Sequence, residues 1–122
     1  MRLALESDPN IHLVRSYGDG LITIGEESLS HPCVVSPQRL MRDWQAISLT
    51  SLAAPQFEPL LATGARIVLL GAGETQQWPS AEIRKLCRLR GIALECMNLG
   101  AACRTYNILA SEQRAVVAGL FP

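Results

Sequence analysis

The chain has 122 residues, of which 48% are hydrophobic and 18% are charged. This composition is typical of a globular protein rather than a disordered one, and the length fits one domain with its own core. Eleven basic residues balance eleven acidic ones. Because a surface that follows nucleic-acid phosphates needs an excess of basic charge, we expect no nucleic-acid partner.

The apolar runs and the cysteines limit where the chain can be located and which chemistry it can perform. No apolar stretch approaches the roughly 20 residues of a membrane helix, and the N-terminus lacks the features of a signal peptide or a presequence. The four cysteines lie within apolar or helical segments without a C-x-x-C pair, and there are two histidines. We therefore expect a cytoplasmic protein that does not span a membrane, with reduced thiols, no metal site and no cofactor.

The first half of the chain predicts a hairpin and a short strand. Residues 11–17 and 21–25 flank Gly18-Asp19-Gly20, and Asp-Gly between alternating apolar runs favours a tight hairpin turn. Residues 32–35 form a short apolar strand. Residues 38–49 fit either a helix face or an irregular strand, and Pro55 favours a short helix that ends near Gly64.

The second half alternates strands and helices, which is typical of an α/β domain whose strands are covered on both faces. Ser80 is the predicted cap of a helix through Arg90, with Ile83, Leu86, Cys87 and Leu89 on its inner face. We predict strands at 66–70, 92–97 and 115–121, adjacent in one sheet, and a last helix at 101–111.

Gly71 and Gly73 follow a strand, as in a dinucleotide-binding loop. The third glycine of that fingerprint is replaced by Gln76, and the next helix starts too late for its N-terminus to hold a pyrophosphate. We interpret the loop as a tight turn, with a small anionic or acyl ligand as the alternative. His12 and His31 align with no nucleophile, and structural roles are expected for both.

The main polar group of the chain surrounds the last helix and consists of Arg104, Asn107, Glu112 and Arg114. One interpretation is a structural network that docks this helix against the terminal strand. The alternative is a pocket between Gly71–Gly73 and Arg104–Asn107, in which Arg104 meets an anion. Tyr106 shares the apolar face of the helix, so we expect it to be buried with its hydroxyl bonded.

Several of these motifs together resemble one family. They are Tyr17-x-x-Gly20-x-Ile22-x-Ile24-Gly25, Trp44, Gly71-x-Gly73, Gly91-Ile92, and Ala102-Cys103-Arg104-Thr105-Tyr106-Asn107-x-Leu109 with Glu112 and Arg114. The family contains small domains of unknown function, including the mitochondrial respiratory complex I assembly factor 3 and an adipogenesis-associated cytosolic protein. The resemblance covers most of the chain.

The chain departs from the family pattern at two positions. Gln113 stands where the family usually has glycine, and a left-handed conformation there would cost roughly 1–2 kcal/mol. Leu99 stands where the family usually has threonine, so Asn98 is the expected substitute for the helix cap.

The resemblance implies a three-layer α/β fold with a central mixed sheet of about five strands, in which the last strand is antiparallel to the others. It implies no catalytic activity, and the mitochondrial member acts through protein–protein contacts. Without a presequence, the chain resembles a bacterial or otherwise non-targeted member. We therefore expect a non-enzymatic protein-interaction or assembly-factor-like module, with a small-ligand-binding domain or enzyme as the alternative.

Overall fold

The chain begins with a small antiparallel sheet built on the predicted Gly18-Asp19-Gly20 hairpin. The computed structural model describes residues 1–3 and 10–122. Asp19 has φ 54° and Gly20 has φ 74°, the positive values that both central residues of a type I′ turn require. The sheet has the strand order β1 (Val14–Gly18), β2 (Leu21–Ile24) and β3 (Glu27–Leu29). The hairpin is confirmed, and β3 is an addition that the sequence did not predict.

The central sheet has five strands, as expected. Its strands are β4 (Cys33–Val35), β5 (Leu40–Met41), β6 (Ile67–Ala72), β7 (Ala93–Met97) and β8 (Val116–Phe121). Their spatial order is β5-β4-β8-β6-β7, which confirms that the three long apolar runs are adjacent. β6 extends two residues beyond the predicted strand, so Gly71 belongs to the sheet rather than to a loop.

The expected direction of the last strand is wrong. β8 is parallel to β6, which is also parallel to β7, whereas β4 is antiparallel to β8 and β5 to β4. A helix connects β7 to β8, and such a crossover returns the chain in the same direction. The antiparallel part of the mixed sheet is therefore its N-terminal pair of strands.

Three helices cover the two faces of this sheet. They are α1 (Ala54–Leu61), α2 (Ala81–Leu89) and α3 (Leu99–Ser111). The predicted caps are confirmed: Ser80 Oγ accepts from Ile83 N at 3.4 Å, and Asn98 Oδ1 accepts from Ala101 N at 2.8 Å. Asn98 thus replaces the threonine hydroxyl that Leu99 cannot supply.

Two apolar cores lie on opposite faces of the sheet. In β6, Val68 and Leu70 pack toward α1 and α2, while Leu69 packs toward α3 and the β1–β3 sheet. This alternation follows from the two-residue period of a strand. The resulting layers are α1 and α2, the central sheet, and α3 with the hairpin, which confirms the predicted three-layer α/β architecture.

The segment at 38–49, left open between helix and irregular strand, contains the two-residue strand β5 and is otherwise irregular. Trp44 anchors it: the side chain is buried, its ring centroid lies 5.1 Å from that of Phe121, and Nε1 donates to Gln56 O at 2.7 Å. The indole therefore fixes an irregular segment that has few backbone hydrogen bonds of its own.

The prediction for the inner face of α2 is wrong at Leu89. Ile83 and Cys87 are buried and four residues apart, so they define the face of the helix that meets the sheet. Leu89 is two residues beyond Cys87, on the far side, and its side chain is 74% exposed.

The end of α3 contains a residue in the left-handed conformation. Gln113 has φ 62°, its N–H donates to Ala110 O at 3.0 Å, and Arg114 N donates to Leu109 O at 2.9 Å. These two bonds form a Schellman motif, in which the left-handed position is usually glycine. The expected strain at Gln113 therefore applies to this chain.

We predict that Gln113→Gly stabilises the protein by about 1 kcal/mol, because glycine adopts this conformation without the Cβ penalty but is more flexible when unfolded. Urea unfolding measures the difference. Gln113→Ala is the matched control and should stay within about 0.5 kcal/mol of the original, since alanine retains the Cβ. Equal stabilities for the glycine and alanine variants would contradict strain at this position.

Candidate functional site

The side chain of Asn107 joins α3 to the N-terminal hairpin. Its Oδ1 accepts from Val14 N at 2.9 Å, and its Nδ2 donates to Val14 O at 2.7 Å. The amide therefore pairs with both backbone groups of one residue in β1, as a neighbouring strand would. Asn107 is 9% exposed, so water does not readily replace either bond.

Two further side chains of α3 reach the same part of the chain. Tyr106 is fully buried and its hydroxyl donates to His12 O at 2.7 Å, which confirms the expectation for this residue. Arg104 is exposed, and its Nη1 donates to Tyr17 Oη at 2.9 Å. The Tyr17 ring also lies against Gly100, where an added Cβ would be 2.4 Å from the phenol oxygen.

The network differs from the expected one in its partner. One interpretation of the sequence is that these residues dock α3 against the terminal strand. Instead Asn107 bonds to Val14, 93 positions earlier in the sequence. The position of the strands explains this partner. β8 packs against the apolar side of α3, whereas β1 contacts the side of the helix that carries these polar groups.

Gly71 and α3 are in direct contact, so the expected cleft between Gly71–Gly73 and Arg104–Asn107 is closed at that point. A Cβ built on Gly71 would lie 2.3 Å from the Ala102 Cβ. At Gly73, which has φ 64°, the carbonyl accepts from Leu99 N at 2.9 Å. Gly71 thus lets strand and helix approach closely, and α2 begins only at Ala81, too far along the chain to hold an anion at this turn.

Glu112 and Arg114 lie at the other end of α3, away from Arg104, since eight helical residues span about 12 Å. Both side chains are exposed. Arg114 lines a cavity of about 590 Å³ together with Arg39 and the buried Ser36. Arg39 and Ser36 could not be identified from the sequence, because nothing in their spacing relates them to α3.

A second cavity, of about 290 Å³, lies between α2 and β7. Its polar rim contains Arg84 and Arg88. The remaining lining residues are apolar side chains and thiols: Trp78, Pro79, Cys87, Ile92, Leu94 and Cys96. Trp78 is 61% exposed, an unusual position for a large aromatic side chain.

Burial dominates the electrostatics of the interior. It raises the pKa of the Cys33 thiol from 9.0 to about 12 and that of Cys103 to about 12, with the charge of Cys33 adding to the effect on Cys103. It also raises the pKa of Cys96 to about 11 and that of Tyr106 above its usual range. These groups are therefore neutral at physiological pH, and all four cysteines are free and buried.

The histidines make structural contacts. His31 Nε2 lies 3.0 Å from Trp44 O, and the backbone oxygen of His12 receives the Tyr106 hydroxyl. Within residues 1–3 and 10–122, no group of three His, Cys, Asp or Glu side chains is placed to hold a metal ion. In the same part of the chain, no helix has the length and apolar character needed to cross a membrane.

The fold and these contacts define a small mixed α/β domain in which one helix joins an N-terminal hairpin to a five-stranded sheet. The chain belongs to the family described as protein of unknown function (DUF498/DUF598), whose model matches residues 14–121. This confirms the family to which its motifs are similar.

Known proteins similar to this chain carry different names. A "13 kDa major membrane protein" of Francisella tularensis subsp. holarctica is 32% identical over 81% of this chain and 80% of its own length. The NADH dehydrogenase [ubiquinone] 1 alpha subcomplex assembly factor 3 of Danio rerio is 29% identical over 90% of this chain, which spans 64% of that protein. A solved structure from Xanthomonas campestris superposes with a TM-score of 0.83 at 33% identity, covering 98% of this chain and 92% of that one.

We predict that Asn107→Ala lowers the free energy of unfolding by about 3 kcal/mol, because it leaves two buried backbone groups of Val14 unpaired. Urea unfolding measures this loss. The neighbouring Ile108→Ala is the control: that side chain is 59% exposed, and its removal should cost no more than about 0.5 kcal/mol. A loss at Asn107 as small as that at Ile108 would mean that the amide bonds contribute little.

We also predict that stability falls above pH 9. Below that value the thiols are protonated in both states; above it the unfolded chain loses protons that the folded chain retains at Cys33 and Cys103. The expected loss is about 1 kcal/mol per buried thiol between pH 9 and pH 10, measured by urea unfolding. In the double variant Cys33→Ala/Cys103→Ala the dependence should be shallower, and an unchanged dependence would contradict the assignment.

Proposed function

We propose that this chain is a non-enzymatic protein-interaction module of the assembly-factor type. The observation that carries this proposal is the similarity to assembly factor 3, which extends over 90% of this chain in the Danio rerio protein. The relative's name describes work on a multi-subunit complex, and such work requires protein contacts. The particular complex is not transferred, because this chain spans 64% of that relative.

The use of the polar side chains supports the same proposal. Tyr106 and Asn107 bond to the backbone at His12 and Val14, and Arg104 bonds to Tyr17. These groups thus hold the domain together and present a rigid surface, with Arg104 exposed at its rim. A rigid scaffold lowers the entropy cost of association.

A second candidate function is binding of a small anionic ligand, favoured by the cavity of about 590 Å³ beside Arg114. Arg39 and Arg114 are its charged lining residues, and both are cations. The ends of α1 and α3 also border this cavity, and the negative ends of helix dipoles oppose an anion there. We therefore rank this function below protein interaction, and it replaces the pocket expected near Gly71.

In this proposal the module acts in the cytoplasm. A reducing compartment keeps thiols free, which suits four buried cysteines that serve as small apolar residues.

The test begins by cross-linking the tagged chain to neighbouring proteins in source cells and identifying them. Each identified protein is then purified and mixed with the purified chain. The proposal expects at least one protein to bind the purified chain in a defined ratio. The Asn107→Ala variant, which is expected to unfold more readily, is the control. A protein that binds this variant better than the original chain recognises exposed core residues. If no protein rebinds, while an anionic metabolite raises the melting temperature of the original but not of Arg39→Ala/Arg114→Ala, the ligand function is correct instead.

A further inference from the structure

β7 is an edge strand of the central sheet, with β6 on one side. Ala93 N donates to Arg66 O at 3.0 Å, so the backbone groups of Ala93 point toward β6. Because these directions alternate along a strand paired on one side, the N–H and C=O of Leu94 and of Cys96 point away from the sheet. These outward groups are the positions where a further strand would pair.

One of these outward groups already has a side-chain partner. Gln76 Nε2 donates to Cys96 O at 2.8 Å, in the place that the N–H of a neighbouring strand would occupy. Gln76 is exposed, so its amide is readily exchanged for another donor. Gln76 stands in place of the third glycine of the dinucleotide-binding fingerprint, and its spacing alone indicates no role.

The cavity between α2 and β7 adjoins this edge. Leu94 and Cys96 form its floor from the strand, and Cys87 lines it from the helix. The exposed ring of Trp78 borders one side. An added strand would therefore direct every second side chain into a groove with an apolar floor.

The rim of the groove carries positive charge. Arg84 and Arg88 are four residues apart on α2, so they project on the same side of the helix, and both are exposed. The residues that line the groove include no aspartate or glutamate. An acidic side chain two residues from an apolar one, and so on the same face of an added strand, would complement both the rim and the floor.

We propose that β7 binds an extended segment of a partner protein as a sixth strand of the central sheet. An apolar side chain of that segment occupies the groove between Trp78 and Leu94, and an acidic side chain pairs with Arg84 and Arg88. Main-chain bonds to Leu94 and Cys96 supply affinity, and the groove supplies selectivity. This inference rests on the proposed interaction function and specifies the chemistry of its partner.

A second copy of the chain fits the same edge less well. Antiparallel pairing of two β7 strands places the two-fold axis perpendicular to the sheet, so both copies of α2 lie on the same face. Arg84 and Arg88 of one copy would then face those of the other. Like charges across such a contact oppose association, whereas an acidic segment is attracted.

The first experiment uses a synthetic peptide of about six residues, a typical strand length, in which valine and glutamate take successive positions on one face and threonine fills the positions between them. Amide hydrogen exchange is followed by NMR on the full chain with and without the peptide. The exchange of Leu94 and Cys96 should slow by about tenfold or more on binding, while Ala93 and Glu95 should not change because their amides already face β6. A valine–lysine peptide is the control and should have no effect.

The second experiment reverses the charge of the rim. Arg84→Glu/Arg88→Glu should weaken binding of the glutamate peptide by roughly tenfold and allow the lysine peptide to bind. Arg90→Glu is the matched control, since Arg90 is exposed at the end of the same helix and does not line the groove. Rescue by the lysine peptide also shows that the double variant is folded.

Three outcomes would overturn the proposal. One is protection of Leu94 and Cys96 that increases with protein concentration in the absence of peptide, which identifies a second copy as the occupant. Another is equal binding of both peptides to all variants. The third is a partner identified by cross-linking that binds the double variant as tightly as the original; the interaction function then stands, and this edge is not its site.

Discussion

The paired hydrogen bonds between Asn107 and Val14 are the constraint on which the arrangement of this domain depends. The hairpin sheet and the central sheet do not share a strand, so contacts outside the strand ladders hold them together. α3 lies between them, contacting β6 and β8 on one side and β1 on the other. An amide that satisfies both backbone groups of one strand residue fixes position and register at once, which apolar packing alone does not.

Small residues make this arrangement possible. Gly71 lets the first turn of α3 approach β6, and Gly100 makes room for the Tyr17 ring on the opposite side of the helix. A glycine inside a helix lowers helix stability by about 1 kcal/mol relative to alanine. Gly100 therefore weakens α3 but allows its contact with the hairpin. Tyr106 and Asn107 are consequently engaged inside the domain, and the sheet edge and the two cavities are available for recognition.

Local features of the fold were predictable from the sequence, and distant contacts were not. Asp19-Gly20 and Ser80 act through neighbouring backbone groups, so their turn and cap follow from residue type and spacing. The partner of Asn107 lies 93 positions away, and no pattern near either residue relates them. Gly100 gave no such signal, because the predicted helix began at residue 101; only the structure places it inside α3, against Tyr17. The parallel direction of β8 was predictable, because the helix predicted at 101–111 lies between two predicted strands and such a crossover favours parallel strands; the antiparallel expectation came from the family resemblance.

The central claim, that α3 holds the hairpin on the domain, is tested most directly by native-state hydrogen exchange in the original chain at increasing urea. If the claim holds, the Val14 amide and the β2 amides exchange through the same opening, at a free energy below that of β6 and β8. The Val14 amide should then be released together with the hairpin rather than alone. Exchange of Val14 at low free energy while β2 remains protected with β6 would contradict the account, because the hairpin would then be held by other contacts.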